Sequence, residues 1–90
     1  MKSVEIIVSA RVQGVGYRYF AYSKARLYQL KGYVKNLGNG KVKIIASGDE
    51  SNLREFINII RKGPDYSWVH NLEVRELTAI GEYHDFSIKY

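Results

Sequence analysis

A chain that alternates strand and helix patterns, and folds one strand pair back through a tight hairpin, predicts an α+β sandwich. Three observations carry this. Apolar residues recur with period two near the start, where Val4, Ile6, Val8, Ala10 and Val12 fall on one side. Leu53, Phe56, Ile57 and Ile60 recur at i, i+3, i+4 and i+7, the spacing of one helix face. Between these segments, Asn39-Gly40 separates two strand-like runs, and both residue types tolerate the positive φ of a two-residue hairpin. The implied order is β-α-β-β-α-β plus a short C-terminal strand. This is the ferredoxin-like split βαβ plan, with two helices on one face of a mostly antiparallel sheet.

Each element has its own local reason. Residues 4–12 alternate, with Ile7 the exception on the polar side. The glycines of "QGVG" end that strand. From about Tyr17 to Gln29 there is no Gly or Pro, and Ala21, Ala25 and Tyr28 form a narrow helical face of mostly small residues. "KGYVKN", residues 31–36, is the second strand and "VKIIAS", residues 42–47, the third. A second helix is expected from Asp49 to Lys62, with acids in its first turn and Arg61-Lys62 in its last, as the helix dipole prefers. The lone proline, in "KGPD", marks the loop after it. Residues 69–77 form a fourth strand of weaker pattern, and Phe86, Ile88 and Tyr90 alternate in a short last one.

Composition bounds the function. Ninety residues make a single domain, residues 1–90, with one core. No apolar run spans a membrane and no signal peptide is read, so no membrane partner is expected and the cytoplasm is the expected compartment. With no cysteine, disulfide and thiolate chemistry are excluded. Fourteen Lys and Arg against nine Asp and Glu give a net charge of +5, which favours an anionic partner. His70 and His84 lack paired ligands at metal-binding spacing, so no metal and no cofactor are implied.

The split βαβ order makes strands 1 and 2 parallel, so the loop 13–18 and Asn36 share one rim of the sheet. That loop opens a helix, where unpaired backbone N–H groups and the positive dipole end point outward. Gly14 and Gly16 let successive amides converge on one point, and Arg18 adds a planar fork for two phosphate oxygens. From spacing alone two readings stand: an anion site, or a tight turn with an exposed arginine. The loop is neither a Walker A motif nor a three-glycine dinucleotide fingerprint.

"ARVQGVGYR", residues 10–18, resembles the first signature of the acylphosphatase family, G-x-V-Q-G-V-x-[FM]-R. "GYVKNLGNGKVKIIASG", residues 32–48, resembles the second, through Gly32, Tyr33, Val34, Lys35, Asn36, Gly40, Val42 and Gly48. Three positions depart from the pattern: Ala10 replaces Gly, Tyr17 replaces Phe or Met, and Gln29 stands where Gly often closes the helix. The resemblance implies a small, free-standing, metal-independent hydrolase that cleaves acyl phosphates to carboxylate and inorganic phosphate. It implies phosphate binding by Gln13, Gly14, Val15, Gly16, Tyr17 and Arg18, and catalysis by Arg18 and Asn36, with Asn36 positioning the attacking water. The expected ligands are a small acyl phosphate and inorganic phosphate, bound to a monomer. Tyr17 and Tyr33 read as packing residues that could also touch the acyl group, and Lys35 as a solvated strand-end lysine.

An RNA-binding or non-catalytic phosphate-binding module of the same fold is the alternative. "KGY", residues 31–33, imitates the start of an RNP1 motif, but Val34, Lys35 and Asn36 break it. The first strand, "VEIIVSA", has no aromatic to stack a base.

Overall fold

The opening alternation becomes a ten-residue strand, β1 (Lys2–Arg11), in a computed structural model that describes residues 1–11, 16–64, 68–78 and 83–89. The remaining elements are α1 (Gly16–Leu27), β2 (Lys31–Gly38), β3 (Lys41–Gly48), α2 (Glu50–Lys62), β4 (Trp68–Glu76) and β5 (Phe86–Lys89). The expected order is the observed one, and the boundaries move by one or two residues. Val12 and Tyr90, expected to continue the first and last strands, lie outside the described residues.

The sheet order is β4-β1-β3-β2-β5. β1 runs antiparallel to β3 and β4, β2 antiparallel to β3, and β2 parallel to β5, which makes the sheet mixed. Val4, Ile6, Val8 and Ala10 of β1 form the core with Val34, Val42, Ile44, Ala46 and Phe86 from the other strands. Tyr17, Ala21 and Ala25 of α1 and Leu53, Phe56 and Ile60 of α2 close it from above, so both helices lie on one face. Phe56 meets Phe86 edge-on at 6.4 Å, tying α2 to β5.

The turns follow from their residues. Asn39 and Gly40 take φ of 53° and 75°, the positive values a type I′ hairpin needs. α1 ends in a Schellman motif: Leu30 N–H donates to the Ala25 carbonyl at 2.9 Å and Gln29 N–H to that of Arg26 at 3.0 Å. Gln29 fills the left-handed position, φ 58°, that glycine fills at low cost. Gly32, at φ 138°, packs so closely on β3 that a Cβ would run into the Ile45 carbonyl.

Candidate functional site

α1 presents its N-terminus at the end of the sheet where β1 and β2 finish. The first-turn N–H groups of an α-helix have no acceptor within the helix, and the dipole adds partial positive charge there. Gly16 begins the helix and Arg18 sits in its first turn. The Tyr17 side chain points the other way. It is fully buried, and its hydroxyl donates to the Ile60 carbonyl of α2 at 2.9 Å. Burial pushes its phenol well above the usual tyrosine range. Of Tyr17, only the backbone N–H can therefore face an anion, and the packing reading of its side chain holds. Gln13, Gly14 and Val15, the rest of the expected phosphate loop, lie outside the described residues.

The Arg18 guanidinium donates through Nη1 to the Lys89 carbonyl of β5 at 3.4 Å. Lys89 pairs in register with Lys35, the residue before Asn36. Arg18 thus reaches the strand level of Asn36, although the two are far apart in sequence. Asn36 stands opposite Val42, which stands opposite Val8. With about 4.8 Å between neighbouring strands, the ends of β1 and β2 lie roughly 10 Å apart with β3 between them. Val34 and Val42 are buried under the helices, so Asn36, on the same side of β2 as Val34, belongs to the helix-bearing face beyond the edge of the core. Arg18 and Asn36 therefore share one face and one end of the sheet.

The Asn36 carboxamide is held in place. Its Oδ1 accepts the Gly38 N–H at 3.0 Å, where the β2–β3 register shifts. A carbonyl oxygen has a second lone pair, so Oδ1 can also accept from a water while Nδ2 donates. Two members of this constellation, the Lys89 carbonyl and the Gly38 N–H, are backbone groups. They escape sequence reading because every residue carries them.

The other candidates fall elsewhere. Tyr33 is half-buried on the opposite face, its ring 5.9 Å from that of Tyr83 and 4.3 Å below the Lys89 ammonium. Lys35, His70 and His84 are exposed. Asp49 caps α2, accepting from Ser51 Oγ at 2.6 Å and from the backbone N–H groups of Ser51 and Asn52 at 3.1 and 3.3 Å. The Ser51 hydroxyl bond, then those amides, hold its carboxyl below the usual aspartate range. Among the described residues, no group of three or more His, Cys, Asp or Glu side chains could hold a metal ion.

Comparison with known proteins adds an independent line. The acylphosphatase family model matches residues 4–88. The acylphosphatase of Thermotoga petrophila is 49% identical over 90 residues, covering 100% of this chain and 99% of that protein. The crystal structure of acylphosphatase from Bacillus subtilis matches with a TM-score of 0.93 at 41% identity, covering 100% of both chains. Full-length HypF, in its phosphate- and nucleotide-bound form, matches at 36% identity with a TM-score of 0.88, over 99% of this chain and 12% of the HypF chain.

Proposed function

The chain belongs to the acylphosphatase family, and on that premise we propose how it acts on its substrate. It is a hydrolase of carboxyl-phosphate anhydrides, releasing a carboxylate and inorganic phosphate from a small-molecule substrate. The binding-module alternative is not favoured by these relatives. In our reading the phosphoryl group sits at the α1 N-terminus, cradled by the amides of residues 13–17 and by the Arg18 fork. Asn36 Oδ1 takes a hydrogen bond from a water and aims it at phosphorus. The water oxygen forms the new P–O bond, and the bond from phosphorus to the acyl oxygen breaks. The carboxylate leaves with the electron pair, and the water proton passes to a phosphoryl oxygen. A carboxylate leaves readily, and phosphoryl transfer rests on positioning and charge stabilisation. A carboxamide and a guanidinium therefore suffice, without a metal. The observation that carries this reading is the placement of Arg18 and Asn36 on one face and one end of the sheet.

We place the protein in the cytoplasm as a monomer. Among the described residues no helix is long and apolar enough to cross a membrane. The test is benzoyl phosphate hydrolysis by the parent, Arg18→Ala, Arg18→Lys and Asn36→Ala. Arg18→Ala is expected to lower kcat/KM about 10²–10³-fold and to weaken inhibition by phosphate. Arg18→Lys recovers little, since the planar fork is lost. Asn36→Ala lowers kcat with little change in KM; full kcat in that variant refutes the water-positioning role. EDTA leaves the parent rate unchanged, and a rate abolished by EDTA and restored by a divalent cation refutes the metal-free mechanism.

A further inference from the structure

Lys43 of β3, Lys35 of β2 and Lys89 of β5 stand in register across three adjacent strands. Lys35 is paired with a lysine on each side. All three belong to the face away from the helices, because Val34, Val42 and Ile44, next to Lys35 and Lys43 in sequence, and Phe86, three residues before Lys89, are buried on the other. At about 4.8 Å per strand the row spans roughly 10 Å. Like charges directly opposite in a sheet repel and destabilise it. Compensation is thin. Glu5 lies 3.8 Å from Lys43 but only 3.1 Å from Arg75. Lys89 rests its ammonium over the Tyr33 ring at 4.3 Å. Among the described residues, no ion pair involves Lys35. The row also lies at the reaction end of the sheet: Lys35 precedes Asn36, and the Lys89 carbonyl receives Arg18.

We infer that this lysine row is an attractor for the anionic substrate, raising the concentration of acyl phosphate at the rim where Arg18 and Asn36 stand. The inference rests on the hydrolase reading and adds residues that touch neither the phosphoryl group nor the water. A strip of like charge near a site raises the local density of counter-ions and speeds their encounter. The surface suits a small dianion better than a nucleic acid strand, because the aromatic beside it, Tyr33, is already engaged by Lys89 and by Tyr83.

The test is the ionic-strength dependence of benzoyl phosphate hydrolysis by the parent, Lys35→Gln, Lys35→Arg and Lys43→Gln. Lys43 is a strand removed from Asn36, so its variant separates charge from disturbance of the carboxamide. At about 10 mM salt, where the Debye length is near 30 Å, each Gln variant lowers kcat/KM about two- to fourfold with kcat unchanged. The loss fades toward 1 M salt, where screening acts within about 3 Å. Lys35→Arg keeps the parent value, and Lys35→Gln melts no lower than the parent. Inorganic phosphate affinity, measured by NMR titration, falls in parallel and needs no turnover. Gln variants with parental kcat/KM, phosphate affinity and salt slope overturn the attractor. A parent that binds phosphate with this salt dependence but does not hydrolyse benzoyl phosphate overturns the hydrolase reading instead.

Discussion

Tyr17 carries a hydroxyl into the core, and the reason lies in α2. The Ile60 carbonyl would receive the N–H of residue 64 if the helix ran on, but residue 64 is Pro64, which has none. The Tyr17 hydroxyl donates to that carbonyl at 2.9 Å instead. A Phe at this position would match the ring shape and leave the carbonyl short of a donor. Tyr17→Phe is therefore expected to cost about 1–2 kcal/mol, a fall in Tm of roughly 5–10 °C by calorimetry. The sequence exposes Tyr17 as a departure from the family pattern. What it hides is that this departure compensates for a proline some forty residues away (the bond spans 43 positions).

At the scale of elements, the two helices are finished differently. α1 closes on Gln29 in the left-handed region, which costs a non-glycine residue about 1–2 kcal/mol. Glycine is freer in the unfolded chain, which returns part of that gain. Gln29→Gly is expected to stabilise the fold by about 0.5–1 kcal/mol in urea unfolding. α2 opens on the Asp49 cap, whose carboxyl is held below its ordinary pKa by the Ser51 hydroxyl and the amides after it. A depressed folded-state pKa contributes stability above the unfolded value, near 3.9, that is lost as pH falls through the folded one. Asp49→Ser keeps a capping oxygen without the titration. Its Tm is expected to decline less steeply than the parent's below about pH 4. Both helices and the Asn39-Gly40 hairpin were legible because apolar spacing and turn chemistry are local properties. The strain at Gln29 was legible only as an unusual residue, since φ depends on which motif ends the helix.

The whole molecule decides what local reading cannot. Arg18 and Asn36 could be brought together from the sequence, because the order of elements makes β1 and β2 parallel and places both residues on one rim. The lysine row could not, because it depends on which strands are neighbours and in what register. The Lys89 contact with Arg18 could not either, since a carbonyl 71 positions away leaves no local trace. Of the strand pairs in the order β4-β1-β3-β2-β5, only β2–β3 joins strands consecutive in sequence. Such non-local pairing slows folding, and refolding by stopped-flow fluorescence is expected to take milliseconds to seconds. The same topology has a consequence during synthesis. β5 inserts beside β2 only after every other strand has been made, and it brings the carbonyl that receives Arg18. A ribosome-bound chain that has not yet emerged past residue 89 therefore holds the Arg18 guanidinium without that anchor.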